Sequence, residues 1–592
     1  MKQKWVIINK KGDVKAVAKE QGVSEIIARV LINRDLDTKD KRDVYLHPSV
    51  CGLRDGSLLK NAGKAAEILK EAAENRKKIR IVGDYDVDGI TSTYILYKTL
   101  KERGAKVSYR IPDRIADGYG INRNIVDEAI ADGIQLILTC DNGISEYDTI
   151  SYAKEKGITV VLTDHHEVPV KDGKQILPPA DVVVNPKQEG ETTPYTGLCG
   201  CVVAMKVLEC MGADLRPLLP YAAMATLCDV MDLRDENRVI VILGLEELRR
   251  TRDTGLIALI HANGLNAFQL SVYHIGFVIG PCLNASGRLD TAEKALELLL
   301  ETDAGSAAAA AEELVELNNE RKAMTEAGTD RAGMIIETVA KKQAEMAGTD
   351  DWEKFIDKVI VVNLAGCHES VVGIIAGRIR EKYARPTFIL TEAESGDCLK
   401  GSGRSTENFS MYEEMSKIGD VFTRFGGHPM AAGLSMEREK LAEFQRRINE
   451  NCSLTEEDLV KKVRIDTKLS FEAVTTDLVD ELERLEPFGK GNEKPVFAEK
   501  DVRVERAMIL GQKKNVLKMN LVNSTGFRMS GVYFGDIAGF TEKIAGAFGR
   551  EEVDRMFKGM PNNVKFSATY VPDRNEYNGI VTLQAKIQEI LV

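Results

Sequence analysis

The chain has 592 residues, 44% hydrophobic and 29% charged, with a formal net charge of −11; that is more than one core can hold and implies about three to five domains. No run of about 18 apolar residues exists, and MKQKWVIINKKGD turns polar before a signal-peptide core could form, so a membrane span and export are excluded and a cytoplasmic protein is expected. Ten scattered cysteines form no C-x-x-C pair, which argues against zinc or redox motifs and for free, buried thiols.

From 78 to 185, strand-like runs alternate with helical ones. KKIRIVGDYD reads as a strand ending in a turn, followed by the helix ITSTYILYKTLKERG; KVSYRIP, IQLILTC, ITVVLTD and DVVVNP read as further strands. This alternation predicts a doubly wound parallel sheet, whose ligands bind beyond the carboxyl ends of the strands. Residues 198–260 read as helical, and the proline-free, alanine-rich stretch 303–347 as one or two long connecting helices. A second, smaller α/β pattern runs from 356 (KVIVVNLA, VVGIIAGRIREKY, RPTFILTE) to about 450. Residues 496–592 read as short strands and turns, the pattern of a small β-barrel of OB type. The resulting division is an N-terminal segment 1–50, a first α/β domain 51–302, a connector 303–350, a second α/β domain 351–455 and an OB-type domain 456–592. The acidic total does not exclude a nucleic-acid partner, because local grooves decide binding; residues 499–592 carry 14 basic and 11 acidic side chains.

Four clusters carry metal-binding chemistry. Asp84, Asp86 and Asp88 alternate in GDYDVDG; Asp141 lies in TCDNGIS; Asp164-His165-His166 follows VVLT; Asp229 ends an apolar helix. Singly, the first resembles a calcium-loop fragment, and an aspartate after a strand is often only a helix cap. Jointly, three strand ends of one parallel sheet deliver carboxylate or imidazole to one edge. Such oxygen-rich donors suit manganese or magnesium. A bridging carboxylate, for which Asp141 is the candidate, holds two ions about 3.5–4 Å apart, and such a pair supplies an activated water and a stabilised leaving oxygen for phosphate-ester cleavage. The reaction class is therefore metal-assisted phosphodiester hydrolysis.

GDYDVDG, TCDNGIS, DHH and Asp229 resemble the successive motifs of the DHH phosphoesterase family. The resemblance implies Asp86, Asp88, Asp141, His165 and Asp229 as metal ligands, Asp84 in the same shell, and His166 near the metals or the scissile phosphate. Small-substrate members place a histidine where this chain has Val82; the GDYDxDG form is that of the RecJ exonuclease branch. IPDRIADGYGIN (111–122), GPCLNASGRLDTA (280–292), HESVVGIIAGRI (368–379), GSGRS (401–405), FGGHPMAAG (425–433) and LEPFGKGNEKPVF (485–497) resemble that branch as well. Cys282 stands where arginine is usual, and Glu369 where proline is common. In the second lobe, Ser402 and the backbone at Gly426 and Gly427 allow close approach of a phosphate, Arg404 can bind it bidentately, and His428 can donate to it. Arg114, Asn284, Arg288 and Arg378 are further candidates for gripping a strand, whereas His47, His261 and His274 read as structural.

The expected enzyme is thus a two-metal exonuclease with a groove between the two lobes, too narrow for duplex, and a barrel that holds single-stranded DNA further out. Tyr533, Phe534 and Phe540 are either base-stacking or core residues. The resemblance further implies 5′-to-3′ polarity, mononucleotide products, a monomer, roles in recombination and repair, and single-strand binding protein and a RecQ-type helicase as partners. The alternatives are a phosphodiesterase of short oligonucleotides or cyclic dinucleotides, which would not need residues 460–592, and a silent replication scaffold, which would show broken metal motifs.

Overall fold

Lys78–Val82 (β1), Lys106–Arg110 (β2), Leu136–Cys140 (β3), Thr159–Thr163 (β4) and Val182–Val184 (β5) form a five-stranded sheet, all parallel, in the order β2-β1-β3-β4-β5. β1, β3 and β4 are buried at nearly every position, as a parallel sheet covered on both faces requires. The chain passes from β1 outward to β2 and then returns across to β3. The direction of winding therefore reverses between β1 and β3, and a crevice opens beyond their carboxyl ends. Helices Val87–Glu102 (α1), Gly200–Cys210 (α2) and Leu219–Cys228 (α3) pack together there; α2 and α3 are apolar nearly all round, which suits helices buried on every side. Gly280–Leu289 (α4) follows, and Ala304–Met346 (α5) is one 43-residue helix capped by Asp303, so the connector is a single helix.

The second lobe is a mixed sheet of Ile360–Asn363 (β6), Thr387–Glu392 (β7), Leu399–Arg404 (β8), Arg424–His428 (β9) and Ala431–Met436 (β10), ordered β9-β10-β8-β7-β6, with β6 and β7 parallel and the other pairs antiparallel. Strand alternation divides its side chains between two cores: Val361, Phe388 and Leu390 pack with Phe444 on one face, Ile360, Val362 and Ile389 with Ile375 and Ile379 on the other. The latter two belong to Val372–Tyr383 (α6).

The structure is a computed structural model and describes residues 3–393, 396, 398–511, 514–577 and 579–592. Two compact units result: Asp55–Asp229 with Gly244–Lys461, which holds both α/β lobes, and Lys4–Arg54 with Val230–Leu243 and Lys462–Val592. In the second unit, Thr467–Lys468 (β11) extends a ring-like sheet of Phe497–Leu510 (β12), Val516–Val522 (β13), Arg528–Phe534 (β14), Lys565–Tyr577 (β15) and Ile580–Leu591 (β16), which closes through pairing of β12 with β15. Its strands are longer than the turn-rich sequence suggests, and two helices, Ile537–Phe548 and Arg550–Lys558, interrupt it. Phe540 is buried in its core with Tyr533 packed on it, whereas Phe534 is exposed. Ile27, Leu31 and Tyr45 share this core, so the N-terminal segment is part of this unit.

No helix among the described residues is long and apolar enough to cross a membrane. All ten cysteines are free; Cys140, Cys199, Cys201, Cys282 and Cys452 are buried, Cys51 is exposed and the other four are half-buried.

Candidate active site

The GDYDVDG segment bends from β1 into α1, and its alternating aspartates take different parts in that bend. Asp86 caps α1, its Oδ1 accepting from the amides of Asp88 (2.9 Å) and Gly89 (3.1 Å). Asp88 lies within the first turn and is fully buried; its two oxygens accept from Gly200 and Cys201 amides, each at 2.7 Å. Those N–H groups are the unpaired donors at the start of α2, a natural place for a carboxylate. Gly89 is obligatory, because a Cβ there would lie 2.4 Å from the Asp84 carbonyl oxygen.

Across the crevice, Asp141 follows β3 with φ of 63°, a left-handed conformation uncommon for a residue with a side chain. Gly200 admits it closely: a Cβ there would lie 2.7 Å from that of Asp141. After β4, the buried Asp164 orients its neighbours. Its Oδ1 accepts from the amides of His165 (2.7 Å) and His166 (3.1 Å) and lies 2.8 Å from His166 Nδ1, while Oδ2 accepts from Ile144 N at 2.9 Å. Tyr119 lies 3.1 Å from His166 Nδ1 and donates to the Asp141 carbonyl at 2.9 Å. Asp229 ends α3.

These elements bring the donors into three overlapping groups, each with ligand atoms within 4.8 Å of one another: Asp84, Asp86 and Asp141; Asp141, His165 and His166; and Asp88, His165 and Asp229. Asp141 and His165 each belong to two groups. His165 Nε2 faces Asp141 at 3.1 Å, Asp88 at 3.6 Å and Asp229 at 3.7 Å.

The electrostatics of this cluster call for a cation. Burial and neighbouring carboxylates push Asp84 and Asp141 well above the usual range, Asp88 to about 6 and Asp229 to about 7. Burial and the neighbouring His166 hold His165 below its ordinary value, so at neutral pH it carries no charge to offset them. Burial also opposes charge on His166, but Asp164 outweighs it and raises His166 to about 9. Asp84 Oδ1, Asp141 Oδ1 and His165 Nδ1 are buried without a hydrogen-bond partner. Uncharged imidazole nitrogen and orphaned carboxylate oxygens converging on one space fit divalent cations with oxygen and nitrogen ligands.

Arginines of both lobes bring positive charge beside this centre. A cavity of about 370 Å³ is lined by Asp113–Ile115, Gly287–Thr291 and His368, and a cleft of about 500 Å³ by Arg114, Lys400, Ser402, Arg424 and Gly426 among others. Arg114 lines both and lies over the Tyr85 ring at 4.0 Å, with its buried Nε unpartnered. Arg288 donates to Ser370 O at 2.8 Å; burial and the nearby Arg114 and Arg321 push it down to about 9. Arg404 donates to Ser402 Oγ and Gly403 O, each at 2.8 Å, and burial together with Arg380 and Arg114 lowers it too. Like charges held together in this way favour an anion among them. Asn284 does not line either cavity; its Oδ1 accepts from Val87 N at 3.1 Å and so supports the metal loop. Gly427 and His428 lie on β9, where His428 is exposed, and Arg378 is exposed on α6. Glu369 pairs with Lys400 at 3.0 Å. His274 is structural: its Nδ1 accepts from Ser271 N at 3.1 Å.

Sequence reasoning assigned no role to Tyr119, Tyr85 or Arg321. The GYG segment signals the first, but nothing in the sequence tells Arg321 on the long helix α5 from a solvated arginine.

Family models match the chain at 78–228 (DHH family, N-terminal domain), 357–454 (DHHA1 domain) and 465–589 (RecJ OB domain). It is 35% identical over 555 residues to the single-stranded-DNA-specific exonuclease RecJ of Bacillus subtilis, covering 92% of this chain and 68% of that protein. Against RecJ of Haemophilus influenzae the identity is 34%, covering 78% and 81%. The crystal structure of Thermus thermophilus RecJ in complex with Mn²⁺ superposes with a TM-score of 0.80 at 27% identity, covering 100% of this chain and 79% of that one. Another, exonuclease RecJ bound to manganese, gives 0.55 at 33% identity over 66% and 94%. With three domain models in order and this identity over most of its length, the chain belongs to the RecJ family of single-stranded-DNA-specific exonucleases.

Proposed function

We propose that the chain hydrolyses phosphodiester bonds at the end of single-stranded DNA, with two divalent ions, Mn²⁺ or Mg²⁺, as cofactors. The observation that carries this reading is the meeting of three donor groups at the β1–β3 crevice, opposite a cleft lined by arginine. Asp84, Asp86, Asp88, Asp141, His165 and Asp229 would hold the ions, with Asp141 shared between them. The chemistry the ions supply when bound is activation of water and neutralisation of charge on the phosphate. The chain's own residues do the rest. Asp164 orients His166, kept charged by its hydrogen bond, toward the phosphate. Arg114, Arg288 and Arg404 would grip phosphate oxygens, with Ser402 and Gly426 lining the approach. Asn284 and Asp86 hold the GDYDVDG loop in its bend.

A 5′-to-3′ direction, mononucleotide release, action as a monomer in the cytoplasm, and work in recombination and repair beside single-strand binding protein and a RecQ-type helicase complete this reading. The domain limits 51–302, 303–350 and 351–455 serve it as two lobes and their connector. The test uses 5′- and 3′-labelled single strands, duplex and RNA, with Mn²⁺ or EDTA, and Asp141→Ala beside wild type. Loss of the 5′ label as mononucleotide, abolished by EDTA and by the substitution, is the expected result. Cleavage of dinucleotides but not long DNA would move the substrate to the small-molecule branch, and no hydrolysis at all would favour a scaffold.

A further inference from the structure

The helical run Val272–Leu289 continues from a short α-turn (Val272–His274) through a π-turn (Ile275–Ile279) into α4. One of its faces is used three times by the active site. A Cβ on Gly280 would lie 2.3 Å from the sulfur of Cys228, the residue before Asp229. Asn284 accepts from Val87 N at 3.1 Å, and a Cβ on Gly287 would lie 2.3 Å from the Tyr85 carbonyl oxygen. Spacings of four and three keep positions 280, 284 and 287 on that face. Three and seven residues before Gly280, in and just before the π-turn, stand Phe277 and Tyr273. There the run has left the packed interior: Phe277 is 68% and Tyr273 62% exposed, their rings stacked at 5.3 Å and 23°.

We propose that Tyr273 and Phe277 form a stacking ledge for bases of a single strand that passes the Asp229 side of the metal centre, an inference that rests on the exonuclease reading above. Three observations favour a nucleic-acid occupant. The stacked pair is mostly exposed, and every base has a π-face that can extend such a stack, as an enzyme indifferent to sequence requires. The ledge is continuous with the site, since seven residues of helix, roughly 10 Å, separate Phe277 from Asn284. Phe277 lies within the π-turn and Tyr273 just before it, and such turns are rare and frequent at functional sites.

The test compares Tyr273→Ala, Phe277→Ala and the double variant with Phe268→Ala, an aromatic 77% exposed in the preceding turn and not on the ledge. Binding of the full chain to a fluorescent oligothymidine in EDTA reads the ledge without cleavage, and KM and kcat are then taken with Mn²⁺. Stacking contributes about 1–3 kcal/mol per base, so each lost ring should weaken binding and raise KM about 5- to 160-fold, with a smaller effect on kcat. Phe268→Ala should behave as wild type. A single abasic residue stepped along the strand should reproduce the loss at one or two positions in wild type and add nothing in the double variant. Wild-type binding and KM in the double variant, or abasic scanning without position dependence, would overturn the proposal; so would a defect seen only when a partner protein is added, which would make the ledge a protein-docking surface. If wild type binds DNA but cuts none, the exonuclease reading fails while the binding assay still judges the ledge.

Discussion

Removing one active-site carboxylate should stabilise the metal-stripped protein. Asp88 and Asp229 titrate at about 6 and about 7, against an ordinary 3.8, because burial and mutual repulsion disfavour their charged forms. Between about pH 4 and 7 the folded protein then binds more protons than the unfolded chain, so stability falls as pH rises through that window and is lowest above it. For Asp229 the gap from 3.8 to about 7 corresponds to about 4 kcal/mol at 1.36 kcal/mol per pH unit. Its side chain is 30% exposed, and water reduces this to about 2 kcal/mol. His165 offers no relief at pH 8, since it is neutral there. Asp229→Asn keeps the shape and removes the charge. In EDTA at pH 8 the variant should therefore be more stable than wild type by about 2 kcal/mol, an advantage that disappears by about pH 5, where wild-type Asp229 is protonated. Its exonuclease activity should be lost, and Mn²⁺ should stabilise it less than wild type. Urea unfolding followed by circular dichroism at the two pH values, with and without Mn²⁺, measures all of this. A variant less stable than wild type in EDTA at pH 8 would refute the reasoning, because protein groups would then be satisfying the Asp229 charge and the cluster would not be waiting for a cation.

Asp164→Asn leaves one N–H donor facing another and should cost about 2–4 kcal/mol in stability, read by urea unfolding. The same substitution should drop His166 from about 9 to below 6.5 by NMR titration; in wild type the stabilisation from His166 is full below pH 6.5 and lost as pH rises through about 9. Gly287→Ala forces the Tyr85 carbonyl away and displaces the loop between Asp84 and Asp86, so kcat/KM should fall about 100-fold with the fold retained, as circular dichroism would show. Arg404→Lys cannot keep both the Ser402 and Gly403 hydrogen bonds and a forked grip on phosphate; KM for single-stranded DNA should rise about 10-fold, checked by steady-state kinetics.

The candidate metal centre was legible because the residues that come together in it follow strands whose apolar runs are unmistakable. Asp84, Asp141 and His165 stand just past β1, β3 and β4, and a parallel sheet necessarily delivers such positions to one edge. What could not be read is which carboxylate serves the fold. Asp164 stands in the same cluster as His165 and His166, and the sequence assigns it no role of its own; in the fold four N–H groups face its oxygens. Asn284 looks like a strand-gripping residue and instead holds the metal loop, a contact 197 residues away in sequence that no local pattern encodes. The C-terminal strands read as short because twisted, half-exposed strands alternate weakly. The N-terminal helices gave no sign that Ile27 and Leu31 complete the core of residues 462–592, so deletion of 460–592 would strip those helices of their packing and is a poor test of substrate length.

The two halves of the site are each incomplete in a complementary way. On the sheet edge, Asp84, Asp88, Asp141 and Asp229 hold negative charge that burial makes costly; beside it, Arg288 of the first lobe and Arg404 of the second hold positive charge that burial also disfavours. Had the purpose been stability, direct carboxylate–guanidinium pairs across the cleft would have relieved both at once. The arginines instead donate to Ser370 O, Ser402 Oγ and Gly403 O, and the carboxylates crowd around His165. A cation alone satisfies only the first set and an anion alone only the second. A phosphodiester with divalent ions satisfies both, and it neutralises the Asp88–Asp229 repulsion in the same step. Substrate and metal should for that reason bind with positive coupling, each raising the affinity of the other.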